Sequence, residues 1–166
     1  MTTTAAEKSV TTQVYRVFIK ATAQAIWDAI TQSAWAEKYG YACPIEYDLR
    51  AGGAFRALAN EGMKAHGTPD VMIVGEVIEA DPPRKLVQTW HPIWDPQSAA
   101  ETATRLTYEI AEQPGGMCRL TLIHDVTGAP LASAMVSGNV PDAGGGWSFV
   151  LSDLKTLLET GKSMGT

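Results

Sequence analysis

The chain has 166 residues, 45% hydrophobic and 19% charged, enough for one domain with a sizeable core and no bias toward disorder. Its formal net charge is −5 and its longest basic run is Arg84-Lys85, so it lacks the cationic stripe that a nucleic-acid or anionic membrane partner demands. No apolar run approaches the ~18 residues that cross a bilayer, and residues 1–9 are polar without a signal-peptide core, so a cytoplasmic location is expected.

Residues 1–11 read as a flexible tail and residues 12–163 as the domain. Residues 14–20, VYRVFIK, are β-branched and aromatic and predict a strand. Thr22 then stands as an N-cap before Ile26, Trp27 and Ile30, which recur at helical spacing. Ser33 is expected to cap a second short helix bearing Trp35 and Tyr39, stopped by Gly40. Beyond this the period changes to two. Residues 45–49 and 54–59 flank Arg50-Ala51-Gly52-Gly53, a hairpin signal, and Asn60-Glu61-Gly62 marks the next turn. Residues 71–79 form a strand closed by Asp81-Pro82-Pro83, and residues 86–91 one closed by Pro92. Residues 104–110 and 117–126 are joined by Gln113-Pro114-Gly115-Gly116. About seven strands linked by tight turns argue for one meandering antiparallel sheet.

One face of that sheet is covered. Leu106, Tyr108 and Ile110 alternate with Arg105, Thr107 and Glu109, and Cys118, Leu120, Leu122 and His124 lie opposite Arg119, Thr121 and Asp125. The cover is a terminal helix, whose Trp147, Val150, Leu151, Leu154, Leu157 and Leu158 form an apolar stripe, with Gly161 as its stop. Gly144-Gly145-Gly146 is expected to shorten or loosen the start of that helix, since glycine costs ~1 kcal/mol in a helix interior. Residues 127–146 make a long Gly, Ala and Pro-rich connection, with a short helix at 131–136.

The order is β-α-α-β6-α, an α+β helix-grip fold with a curved antiparallel sheet around a long C-terminal helix. Residues 21–27, ATAQAIW, resemble the opening of the first helix in the START/SRPBCC superfamily. Within it, residues 75–90, GEVIEADPPRKLVQTW, and 146–161, GWSFVLSDLKTLLETG, resemble the central hairpin and terminal helix of the branch named after activators of heat-shock-protein-90 ATPase. The resemblance implies a ligand cavity between sheet and helix. Combined with the alternation, it places Phe55, Trp90, Tyr108, Leu122 and His124 of the strands and Trp147, Leu151 and Leu154 of the helix around it. Trp35 and Tyr39 would close one mouth. It is specific for fold and branch, and weak for activity, because one scaffold hosts binders, cyclases, hydroxylase subunits and co-chaperones.

The expected function is therefore binding of a small hydrophobic molecule, aromatic or lipid-like, without catalysis. The alternatives are a cyclase or dehydratase using His124 and Tyr108 for proton transfer, and a co-chaperone-like ATPase activator with a chaperone partner. For His124, the competing structural role is a satisfied histidine at the pocket rim. Cys43 and Cys118 form no CxxC and read as two thiols, and neither they nor His66, His91 and His124 show metal-ligand spacing, so no metal or cofactor is expected. Glu76 and Glu79 are expected on opposite faces of their strand, Arg56 faces either way, and Gly161-Lys162-Ser163 imitates a phosphate loop without its context. A homodimer through an exposed sheet face or edge completes the expected partners.

Overall fold

Strand-forming and helix-forming stretches fall where their periods place them. The structure, a computed structural model, describes residues 11–141 and 143–165. The expected tail, residues 1–11, lies outside them except for Thr11.

The chain opens with β1 (Thr12–Ile19), whose side chains alternate between exposed and covered. Next comes α1 (Ala23–Thr31), started by Thr22, whose Oγ accepts from the Ala25 N–H at 3.1 Å. A single turn, α2 (Ser33–Ala36), follows directly. Ser33 does not cap it: Gln32 holds the cap position without a side-chain bond, while the Ser33 hydroxyl accepts from Ile45 N–H at 3.0 Å and donates to Glu37. The serine thus ties α2 to the strand that begins at Ile45. Next are β2 (Ile45–Tyr47), β3 (Ala54–Leu58), a turn of helix α3 (Glu61–Ala65) capped by Asn60, β4 (Val71–Asp81) and β5 (Lys85–Pro92). A second unforeseen turn, α4 (Pro96–Ala99), precedes β6 (Thr104–Gln113) and β7 (Met117–Asp125). The chain ends in α5 (Pro130–Val136) and α6 (Gly146–Thr160).

The seven strands form one antiparallel sheet in the order β1-β7-β6-β5-β4-β3-β2, so sequence neighbours are neighbours in space except where β1 closes against β7. This is the helix-grip fold. The element order returns α1 and α6 to the same concave face: α6 packs on β1, α1 and α5, and α1 packs on β6 and β2. The register slips between Val77 and Glu79, and the slip breaks the alternation. Glu76 and Glu79 are consequently both solvent-exposed, not on opposite faces as simple alternation predicts.

The glycines before Trp147 do not loosen the helix. Gly146 is its first residue, at φ +65°, and a Cβ there would stand 2.1 Å from the Val136 carbonyl oxygen. Only glycine lets α5 and α6 approach this closely. Gly161, at φ +84°, stops the helix as expected, its N–H bonded to Leu157 O at 2.8 Å. Among the described residues, no helix is long and apolar enough to cross a membrane. Both cysteines are free thiols, Cys118 in the core and Cys43 half-buried.

Candidate functional site

The concave face is only half filled. Under α6 the core is solid, with Leu120, Leu122, Leu154 and His124 almost fully buried. Toward β2, β3 and β4 the helices leave the face unfilled, and a cavity of about 650 Å³ remains, bordered by Ile30 of α1 and Trp147 and Val150 of α6. Its floor is sheet: Tyr47 of β2, Phe55 and Ala57 of β3, Met72 and Ile73 of β4, Trp90 of β5 and Tyr108 of β6. Its rim comes from Met63 and the loop after α3 on one side, and from Met135, Val136 and Ala143 of α5 and the loop beyond on the other. Ligand pockets of drug-sized molecules span about 300–1,000 Å³ and are mostly apolar, and this one fits both descriptions.

Five of the ten residues singled out from the sequence line this cavity: Tyr39, Phe55, Trp90, Tyr108 and Trp147. Leu122, Leu151 and Leu154 sit in the packed core under α6, because the inward face that they share with the lining residues is covered at their end of the sheet. Trp35 is half-buried against the core with Lys38 Nζ 4.6 Å above its ring, and Tyr39 reaches the cavity in its place. Arg56 faces solvent, its Nε 2.8 Å from Glu46. Of the other histidines, His66 lies at the exposed rim and His91 bonds the Ala99 carbonyl.

His124 is wholly buried and its protonation state follows from its partners. Thr104 Oγ donates to the Trp90 carbonyl at 2.6 Å, so it accepts from His124 Nε2–H at 2.8 Å. The Trp147 indole N–H, which only donates, meets Nδ1 at 3.0 Å. The ring is neutral and carries its proton on Nε2. Burial lowers its pKa to about 4, against a weaker opposing pull from Asp125. Its ring also meets Trp90 edge-on at 5.0 Å, so His124 locks two cavity-lining indoles together from behind. That is a satisfied core histidine, not one at the rim.

Four phenols line the cavity: Tyr41 is exposed at its rim, where its oxygen accepts from Gly146 N–H at 3.1 Å, and the other three are half-buried. The Tyr39 O–H donates to Ala29 O at 2.9 Å, and the Tyr47 O–H donates to Gln88 Oε1, itself fully buried. The Tyr108 hydroxyl has no hydrogen-bond partner among the described residues. Burial pushes these three phenols well above their ordinary range, so they are protonated at any physiological pH.

Sequence reasoning missed several lining residues. Tyr47 was within reach, because the hairpin puts it opposite Phe55 and their rings pack at 4.6 Å. Met63 and Met135 were not, because each sits on a helix too short to show a period.

Residues 20–159 match the family model described as Activator of Hsp90 ATPase homolog 1-like protein. Among solved structures, CalU16 from Micromonospora echinospora is 19% identical, with a TM-score of 0.60 over 90% of this chain and 77% of that one. An HSP90 activator from Plasmodium falciparum is 17% identical, TM-score 0.63, over 90% of this chain and 97% of that one. The Aha1 dimer from Colwellia psychrerythraea is 17% identical, TM-score 0.63, over 93% of this chain and 100% of that one. At such identities these likenesses speak for the fold. No curated protein sequence matches the chain.

Proposed function

We propose that this chain, which belongs to the family of Activator of Hsp90 ATPase homolog 1-like proteins, is a receptor for a small hydrophobic molecule. The cavity carries the reading: about 650 Å³ of space walled by aromatic and aliphatic side chains, with few polar groups. Burying apolar ligand surface there contributes about 25 cal/mol per Å², offset in part by the cost of association. Thermal-shift screening with apolar ligands, together with native mass spectrometry of the purified chain, is the test. Stabilisation by apolar compounds, lost in a cavity-filling Ala57→Trp variant, is the expected outcome. The idea fails if no apolar compound moves the melting temperature and nothing co-purifies.

A cyclase or dehydratase using His124 and Tyr108 is the weaker reading. Nδ1, the only ring nitrogen without a proton, already accepts from Trp147 and the ring is out of the cavity, so His124 cannot take a substrate proton without releasing Trp147. Unchanged turnover in His124→Gln, on any substrate found, would remove that residue from catalysis. The family description and the Plasmodium neighbour motivate a third role, activation of a chaperone ATPase, which a chaperone ATPase assay with and without this protein decides. The Colwellia neighbour motivates a homodimer, which the same native spectra would reveal.

A further inference from the structure

The polar groups of the cavity choose among hydrophobic ligands, an inference that rests on the receptor reading and narrows it. Tyr39 and Tyr47 have each spent their single proton, on Ala29 O and Gln88 Oε1. Toward a ligand their oxygens can only accept. Tyr108 still has a proton to donate, and its side chain lines the same cavity as the other two. Apart from Tyr41 at the exposed rim, whose hydroxyl accepts from Gly146 N–H, the phenols of the cavity thus offer one donor and two acceptors, a pattern that a hydroxyl group matches and a carboxylate does not.

Charge points the same way. Among the described residues no Lys or Arg lines the cavity, and Arg56 on the floor strand β3 is turned out to Glu46. Among the described residues, the one carboxylate of the lining, Asp95, sits at the exposed rim and already accepts from Ser98 N–H at 2.7 Å. An anionic head group would be desolvated here without a cation and against two acceptor oxygens. The walls favour flat molecules over flexible chains. Trp94 stands edge-on to Trp90 at 82° and Trp147 is inclined to it by 52°, which presents ring edges and faces at fixed angles for stacking.

We infer that the ligand class is an uncharged, fused-ring aromatic bearing a hydroxyl, seated with its oxygen accepting from Tyr108 and its proton given to Tyr39 or Tyr47. Fatty acids and other apolar anions are the class the cavity rejects.

Fluorescence titration of the full chain near neutral pH with pyrene, hydroxypyrene, methoxypyrene and pyrene carboxylate tests this. Hydroxypyrene should bind tightest, about fivefold better than methoxypyrene, which cannot donate, with the carboxylate at least about tenfold weaker. Tyr108→Phe should weaken hydroxypyrene and methoxypyrene about fivefold and leave pyrene unchanged. Its melting temperature should hold, since the hydroxyl has no partner among the described residues. Carboxylate binding equal to that of hydroxypyrene, or a Tyr108→Phe variant with undiminished hydroxypyrene affinity, overturns the inference. A chain stabilised by aliphatic ligands but by none of the four also overturns it, while leaving the receptor reading intact. If neither aliphatic nor pyrene compounds bind, both readings fall.

Discussion

The two ends of the concave face are built by the same alternation and end up with opposite properties. At the β1-β7-β6 end, inward residues such as Leu120, Leu122 and Leu106 meet α6 and α1 and are at most 1% exposed. At the β2-β3-β4 end, inward residues such as Tyr47, Phe55 and Met72 meet empty space. Strand chemistry does not explain the contrast, because both ends are equally apolar. Helix placement does: α6, 15 residues long, packs over one end and reaches the other only with Gly146, Trp147 and Val150, which border it beside Ile30 of α1 and the turns α3 and α5. Whether a residue belongs to core or cavity is decided by its neighbour across the gap, not by its own strand.

Truncations at the two ends put this contrast to its severest test. Leu154→Ala, in the packed end at 1% exposure, removes atoms that have contacts on all sides and should cost about 3–5 kcal/mol. Met72→Ala, in the open end, enlarges space that already exists and should cost only about 1–2 kcal/mol. Urea unfolding measures both. Equal losses would mean that the cavity closes in solution and the contrast is void.

The strands of the meander, α1, α6 and the Gly161 stop were legible because each is a periodic pattern or a cap with a local cause, whereas the closure of β1 on β7 is a long-range pairing. The cavity was legible only in part. Phe55, Trp90 and Tyr108 follow from alternation, and Trp147 from the helical stripe, but the same rules also nominate Leu122 and Leu154. Telling the two groups apart requires knowing where α6 ends relative to the sheet, a long-range fact. The bulge at Val77–Glu79 is likewise a register property with no marker in its own residues. Gly146 was visible, yet its reason was not: the neighbour that forbids a Cβ, Val136, is ten positions away on another helix.

The pH dependence of stability should locate the boundary between the two ends, where His124 sits. Its folded pKa, about 4, lies below the ordinary 6.5, so between these values the unfolded chain binds more protons than the folded one. Stability is therefore complete above about pH 6.5 and falls by about 3 kcal/mol as pH drops to 4. Asp125 and Glu159, whose carboxyls are held low by Thr127 and Lys155, lose stability in the same direction at more acid pH. Comparing the native chain with His124→Gln isolates the histidine. A variant with an unchanged pH profile would show that the ring is hydrated rather than buried.

Gly146→Ala acts on the same boundary through the backbone. The new Cβ meets a φ of +65° and the Val136 carbonyl oxygen at 2.1 Å, so α5 must move off α6 at a cost of about 2 kcal/mol. Since Val136 and Met135 form part of the rim, ligand affinity should fall along with stability. A stable variant with altered affinity would assign α5 to gating alone.

Trp147→Phe is the mildest change and the most discriminating. The indole N–H bond to His124 Nδ1 contributes about 1 kcal/mol, and phenylalanine keeps most of the apolar contact, so little more should be lost. The signature lies in the imidazole. The indole proton can meet Nδ1 only while that nitrogen is unprotonated, so removing it lifts a restraint on charging. His124 should then titrate at a higher pH than about 4, still below 6.5 because burial remains. Nuclear magnetic resonance titration of the ring reads this directly. A pKa unchanged by the substitution would mean that Trp147 merely abuts the histidine, and that the start of α6 is held to the sheet by packing rather than by that hydrogen bond.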